Sequence, residues 1–361
     1  MKNFILSLIS LLFIFNSYIF GMYGNGDDWI DFLTDANQFR ARMDQLGFVL
    51  GDETIKGTFG FRTDEGTLGS IISGAVSGDK LTVSHYFTPT VSAGIGYTSS
   101  IFGIGLGYNF TYINNNLQVH TPVLTINALD NNLRIAIPLQ IAVSDTIVNT
   151  DRFGTYTGIS TSTQIRYYTG IDSINALRLY INYGRNSYEN MFLAQSLGFE
   201  FRMYFLNSYI NDVNINPFIK VQYNTALGSE GKPISSSHVL SSSVMNYKDL
   251  SLRYDYDIYD IEVTAVLSLS ANSDIVSLYV EPSLGYKIVE TGFKTELPEY
   301  YLTWGAYTEM YITPAEDLEW YFEMDINNNS AVAAANNSVI PVYFETTTGI
   351  TWYLPSFSDA E

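Results

Sequence analysis

"FGIGLGYNFTY", residues 102–112, carries the pattern on which the fold rests. Phe102, Ile104, Leu106, Tyr108, Phe110 and Tyr112 are apolar or aromatic, and Gly103, Gly105, Gly107, Asn109 and Thr111 stand between them. A period of two belongs to an extended strand whose faces meet different surroundings. Here one face is bulky and greasy and the other nearly bare. A sandwich sheet turns its apolar face inward and its polar face to water. A membrane barrel inverts this, setting apolar side chains against lipid and small or polar ones against a wet lumen. Closure satisfies every backbone group and offsets the weakness of glycine as a strand former.

The same alternation recurs from about residue 54 onward. Ile55, Phe59 and Phe61 alternate with Lys56, Thr58 and Arg62. Leu133, Ile135, Ile137, Leu139, Ile141 and Val143 alternate with Arg134, Ala136, Gln140 and Ala142. Leu197, Phe199, Phe201, Met203 and Phe205 alternate with Gly198, Glu200, Arg202 and Tyr204, and Trp320, Phe322, Met324 and Ile326 with Glu319, Tyr321, Glu323 and Asp325. Such segments run to about ten residues or more, the length a tilted strand needs to cross a bilayer, where sandwich strands average about five or six. Connections alternate between tight ("TSS" at 98–100, "DNN" at 130–132, "ANSD" at 271–274, "PAED" at 314–317) and loose ("GSEGKPISSSH" from Gly228, "NNNSAVAAANN" from Asn327). Short periplasmic turns and longer external loops give that rhythm. Tyr97, Tyr112, Tyr167, Tyr183, Trp304, Trp320 and Trp352 sit near strand ends, where interfacial girdles form.

The chain of 361 residues is long enough for two ordinary domains or one large barrel. Its charged content of 15% falls short of the ~25% of soluble domains, so an ordinary solvated surface would be undersupplied. A formal charge of −19 argues against nucleic acid as a partner, since that recognition begins with a basic patch. The absence of cysteine excludes disulfides, thiolate catalysis, Cys-ligated zinc and lipid modification at an N-terminal cysteine.

Lys2, the apolar run "FILSLISLLFIF" and the small Gly21 read as a secretory signal peptide over 1–21, with Ile19 larger than the residue usual three before a cleavage site. No later apolar run reaches membrane-helix length. The exported chain therefore divides into an N-terminal segment over 22–51, a barrel over 52–354 and a tail over 355–361. Tight turns near 99, 131, 172, 213, 273 and 316 predict an all-β, antiparallel, up-and-down barrel of about 14 strands, within a range of about 12–16. The stretch 68–90 is ambiguous and has room for a further hairpin. "TTGITWYL" sets Thr347, Gly349, Trp352 and Leu354 at a spacing that resembles the assembly signal read by barrel-insertion machinery, although a seven-residue tail, "PSFSDAE", follows.

In the N-terminal segment "DDWIDFLTDANQFRARMDQLGFVLGDE", Trp29, Phe32, Leu33, Ala36, Phe39, Met43 and Leu46 fall at helical spacing. Asp27 and Asp28 stand where a helix start favours acids, and Gly47 where a helix stops. This predicts a periplasmic amphipathic helix packed across the barrel floor, with a lumen plug or a contact to a neighbouring subunit as the alternatives. The segment, continuing as "TIKGTFGFR", resembles the variable surface proteins of intestinal spirochaete (Brachyspira-type) outer membranes, most densely from Trp29 to Arg62. The resemblance implies an abundant, surface-exposed outer-membrane barrel that acts as a major surface antigen, with variable external loops that meet host immune factors. It also implies homo- or hetero-oligomers with related surface proteins, and it brings no catalytic residues.

His85, His120 and His238 are far apart in sequence, and only "SHY" at 84–86 and "SSSHVLSSS" set a histidine among serines, so no enzyme is expected. Gly103, Gly105 and Gly107 are not followed by a helix pattern and make no dinucleotide loop, and no cofactor is expected. "DYDIYDIE" at 255–262 lacks the glycine turn of a calcium loop and reads as a solvated acidic hairpin, with a bulge or break between Tyr259 and Asp260. Taking the lumen face as the side opposite the greasy one puts Arg134, Arg166, Arg178, Arg202 and Lys220 inward on the middle strands, with Glu200 the lone acid. Glu262, Glu281, Glu309, Glu319, Glu323, Asp325 and Glu345 face inward on the later ones, with Lys287 the exception, and Lys56 and Arg62 make the first strand basic. One lumen wall is then mostly basic and the other acidic, which suits a passive pore with a transverse field and suits equally barrel-spanning ion pairs that hold a closed interior. A dedicated porin or hydrophobic-solute transporter is the alternative function.

Overall fold

Alternation of bulky and small side chains resolves into twenty-one strands in the computed structural model, which describes residues 29–30, 33, 38–42, 45–64, 70–77, 80–83, 88–114, 117–144, 156–188, 192–227, 259–290, 292–315, 317–328 and 342–354. In chain order these are β1 (Gln38–Arg42), β2 (Gln45–Gly51), β3 (Ile55–Asp64), β4 (Ser70–Ser77), β5 (Lys80–Val83), β6 (Thr88–Thr98) and β7 (Gly103–Asn114). Then come β8 (Leu117–Ala128), β9 (Leu133–Ser144), β10 (Tyr156–Ile171), β11 (Ile174–Tyr188), β12 (Phe192–Phe205), β13 (Ser208–Ile210) and β14 (Val213–Ile215). The last are β15 (Phe218–Leu227), β16 (Tyr259–Val266), β17 (Leu269–Asn272), β18 (Val276–Glu290), β19 (Glu299–Ala315), β20 (Leu318–Asn327) and β21 (Val342–Leu354).

Antiparallel pairing runs from β1 through β2, β3, β6, β7, β8, β9, β10, β11, β12, β15, β16, β18, β19 and β20 to β21, and β21 pairs back onto β1. The wall is thus a closed ring of sixteen strands, at the upper end of the expected range and two more than the expected fourteen. Both extra strands come from the segment read as a helix. Gln38–Arg42 and Gln45–Gly51 are a short hairpin at the barrel seam, so the wall begins at residue 38 and not at 52. Phe39 and Leu46, seven residues apart, fit two helical turns as well as two short strands around a tight turn, and pairing with β21 and β3 decides for the strands. Among the described residues no helix is long and apolar enough to cross a membrane.

One end of the ring carries only short connections: 52–54, 99–102, 129–132, 172–173, 211–212, 273–275 and 316–317. All six turns read from the sequence are there, joined by the one at 52–54. At this end β13, β14 and β17 carry β12, β15 and β16 onward past breaks at 206–207, 216–217 and 267–268. The opposite end carries 65–87, 115–116, 145–155, 189–191, 228–258, 291–298 and 328–341. Within 65–87, β4 and β5 form the hairpin for which the sequence left room. Residues 1–21, expected to be a signal peptide, the C-terminal tail, His85 and His238 lie outside the described residues.

The seam has two tiers. β1 pairs with residues 351–354 of β21, near the short-turn end, and its hairpin with β2 reverses partway up the wall. Above that reversal β4 takes over and pairs with residues 342–347 of the same strand. Arg40 holds the lower tier. Its Nη2 donates to the Tyr353 hydroxyl at 3.1 Å, its guanidinium lies 5.2 Å from that ring, and the hydroxyl donates on to Glu319 at 3.4 Å.

Faces alternate as the sequence requires. Phe59, Ile95, Leu106, Phe201, Leu284 and Trp352 are exposed on the outside, while Thr58, Ser92, Asn109, Ser196, Thr264 and Thr351 are buried on the inside. The register change expected between Tyr259 and Asp260 is absent, because β16 starts at Tyr259 and pairs regularly with β15 and β18 from its first residue. Turns share a device. Asp52 Oδ1 accepts the Thr54 and Ile55 N–H groups at 2.7 Å each, and Ser99 and Ser273 do the same for Phe102 at 3.2 Å and Val276 at 2.9 Å.

Leu284 stands at the middle of β18 and is 58% exposed on the outer face. Leu284→Arg is expected to destabilise the bilayer-inserted barrel by about 2–4 kcal/mol, read as a shifted urea midpoint in lipid vesicles. The Ile55 and Thr54 N–H groups favour the Asp52 carboxylate and hold it below the usual range. Because the folded pKa is depressed, this contribution is present above the unfolded pKa and lost as pH falls through the folded one. A side-chain carboxyl NMR titration should place Asp52 below an unstructured aspartate, and an ordinary value would refute the capped turn.

Candidate functional site

The lumen surface divides by residue type into three sectors. The first runs along β2, β3, β6, β7 and β8, where glycines pair directly across strands: Gly47 with Gly60, Gly94 with Gly107, and Gly96 with Gly105. Against this bare wall sit Trp29, Ile30 and Leu33, exposed by only 1%, 0% and 3%. A Cβ on Gly60 would lie 2.3 Å from the Trp29 indole, and one on Gly107 2.2 Å from Ile30 Cδ1, so neither position admits a side chain while the segment is seated. Trp29 packs on Val49 and its Nε1 donates to the Phe61 carbonyl at 3.2 Å, while Ile30 and Leu33 pack on Val123. Gly105 and Gly107 of the 102–112 stretch thus face a docked piece of the same chain. Of the readings for the N-terminal segment, these three residues fit the plug.

Strands β9, β10, β11, β12 and β15 form the second sector. Arg134 pairs with Arg166, Arg166 with Arg178, Arg178 with Arg202, and Arg202 with Lys220. The five cations expected to face inward therefore form one continuous cross-strand row. Directly paired residues run perpendicular to the strands, and strands in a barrel tilt by about 35–45°, so the row climbs the wall from Arg134 beside the 129–132 turn. Aromatic faces hold its middle: Arg178 lies 4.8 Å from the Tyr204 ring, and Arg202 lies 5.1 Å from Tyr180 and 5.7 Å from Phe218. Arg202 also pairs with Glu200, which accepts a bond from Gln222 as well.

Acids and tyrosines interleave in the third sector, β16 and β18–β21. Glu309 pairs across strands with Tyr279 and Glu323, and Tyr307 pairs with Glu281 and Asp325. Tyrosine hydroxyls donate to the carboxylates: Tyr279 to Glu281, Tyr307 to Glu309, and Tyr311 to Glu309 at 3.3 Å. Glu262 accepts from Thr303 at 2.8 Å and Thr264 at 3.1 Å, and Asp325 from Asn327 at 3.2 Å. Lys287, the cation on this wall, pairs with Asp260 at 3.5 Å. Glu345 pairs by backbone with Asp325, and its side chain lies outside the described residues.

Two opposed walls are therefore not what the barrel holds. The basic and acidic sectors adjoin at β15 and β16, and the glycine sector, which carries Lys56 and Arg62, completes the circle. Glu319 belongs to the seam with Arg40, a cation the helical reading of 22–51 concealed. His120 points outward, bonded to the Tyr108 hydroxyl and 5.5 Å from the Phe110 ring. Among the described residues no group of three or more His, Asp or Glu is placed to hold a metal ion.

A closed antiparallel sheet, apolar outside and charged inside, is a transmembrane β-barrel of the kind bacteria place in their outer membranes. The chain belongs to the family described as Serpulina hyodysenteriae variable surface protein, which matches residues 2–245 and 234–353. No curated protein matches the chain in sequence. Among solved structures it is similar to a bacterial polysaccharide outer membrane secretin, at 10% identity and a TM-score of 0.49 over 88% of this chain and 97% of that one. It is also similar to in-vitro folded OmpT of Vibrio cholerae (10% identity, TM-score 0.37, 85% and 99% covered) and to the P. putida toluene transporter TodX (11%, 0.32, 91% and 92%).

Gly107→Val should expel Ile30 from its seat, since the added atoms meet the whole Ile30 side chain, at a cost of about 1–3 kcal/mol for overpacking. Strand content by circular dichroism should stay, because valine favours strands, while hydrogen exchange at Trp29, Ile30 and Leu33 rises. Unchanged protection there would mean that the segment is not held by the glycine wall.

Proposed function

We propose that the protein is a surface-exposed, variable outer-membrane barrel, a major surface antigen whose lumen also passes solutes by diffusion. The observation that carries this reading is the asymmetry of the two ends. Every connection at one end is short, and the connections 145–155, 228–258 and 328–341 all leave from the other. Bacterial barrels keep short turns in the periplasm and longer loops outside, so these three become the exposed epitopes that host immune factors meet. Export through the 1–21 leader, delivery of the β21 end to the insertion machinery, and association with related surface proteins complete the reading, which includes no catalytic step.

A dedicated porin is the second reading, favoured by the charged second and third sectors. Hydrophobic-solute transport gains less support, because the apolar part of the lumen wall is occupied by Trp29, Ile30 and Leu33. Protease applied to intact cells should cut within 228–258 or 328–341 and spare the 129–132 and 172–173 turns. Cleavage at those turns without cleavage in the long connections would invert the orientation and remove the antigen reading.

A further inference from the structure

We propose that the row Arg134, Arg166, Arg178, Arg202 and Lys220 is a path along which small oxyanions, inorganic phosphate and carboxylates of similar size, bind and move through the lumen. The proposal rests on the pore reading above and names its solute class.

The row is built against its own stability. Neighbouring strands lie about 4.8 Å apart, and like charges directly opposite each other destabilise a sheet. A wall evolved only to hold a closed interior would alternate signs along the row. Instead each cation pairs with the next, and on the lumen-facing positions of these five strands Glu200 is the one acid among the described residues. Glu200 sits on the strand of Arg202 and serves the row's fourth member, leaving the lower steps to other partners.

Geometry favours an anion over a passing cation. Tyr204, Tyr180 and Phe218 hold two guanidiniums by their faces. Face stacking leaves an arginine's N–H edges for contact with carboxylate or phosphate, a contact that Arg202 already makes with the Glu200 carboxylate. The Arg178 Nε–H is buried and meets no acceptor among the described residues. Successive steps at strand spacing let an oxyanion engage the next cation before it leaves the last, the condition for conduction rather than trapping. In the acidic sector, by contrast, tyrosine and threonine hydroxyls already occupy the carboxylates Glu262, Glu281 and Glu309.

The test uses the full-length folded protein in detergent and in planar bilayers, with inorganic phosphate as the probe. Wild-type protein should bind phosphate by titration calorimetry, show an anion-preferring zero-current potential in a KCl gradient, and lose chloride conductance saturably as phosphate is added. The double variant Arg178→Gln, Arg202→Gln should bind phosphate ~10-fold more weakly or worse, the loss expected for charged hydrogen bonds, and move toward cation preference. Arg178→Lys with Arg202→Lys should keep the anion preference. If the double variant fails to fold, Arg134→Gln, at the exposed foot of the row, should still lower the anion preference. Conductance that ignores phosphate and these substitutions would overturn the path and leave the pore. No conductance from folded protein would overturn the pore, and the path with it.

Discussion

Backbone groups inside a bilayer have no water to bond, so a sheet that crosses one must leave no open edge. Everything else in this molecule follows from meeting that condition at one place, the junction of β21 with the start of the chain. β1 has five residues against thirteen in β21 and cannot cover that edge alone. Residues 342–347 of β21 are covered by β4, reached only after the chain has descended β2 and climbed β3. Arg40 is buried beneath the lower tier and bound to Tyr353, which ties the first strand to the last by side chain as well as by backbone.

Closure also sets what the interior can be. Sixteen strands enclose a lumen wide enough for water, and each wall residue facing it answers to local company alone. Where Trp29, Ile30 and Leu33 lie down, the wall is stripped to glycine; in the other two sectors it carries charge. Glycine weakens a strand, yet β6 and β7 remain paired across nine positions, because the pairing is backbone and the missing side chains are replaced by those of the docked segment. The same economy appears at Gly349, whose absent Cβ leaves room for the Tyr321 ring.

How much of this was legible beforehand depended on how local the information was. Alternation along one strand is a property of consecutive residues, so the inside and outside of β7, β9, β12 and β20 could be read directly, as could the six turns. Inward placement of Arg134, Arg166, Arg178, Arg202 and Lys220 followed from the same rule. Their alignment did not, since a residue's height on the wall depends on the stagger between strands. The strands β1 and β2 were missed because five and seven residues hold too few periods to separate alternation from helical spacing. The glycine wall could be seen, and Gly-rich neighbours in β3, β6 and β7 were the available signal; its occupant, more than sixty residues upstream of the residue 94–107 pairs, could not.

The two-tiered seam bears on which parts of the surface are free to vary. Residues 228–258 join β15 to β16, and 328–341 join β20 to β21. The 65–87 connection leaves from the same end of the ring, yet β4 within it supplies the hydrogen bonds that the upper half of β21 would otherwise lack. Substitution there is limited by backbone geometry: proline in β4 would remove a donor from the seam, and an insertion within β4 would shift which face of the strand looks inward. Of the connections at this end, the one that holds β4 is therefore the one on which the closed sheet depends, because the first strand of its wall is too short to close it.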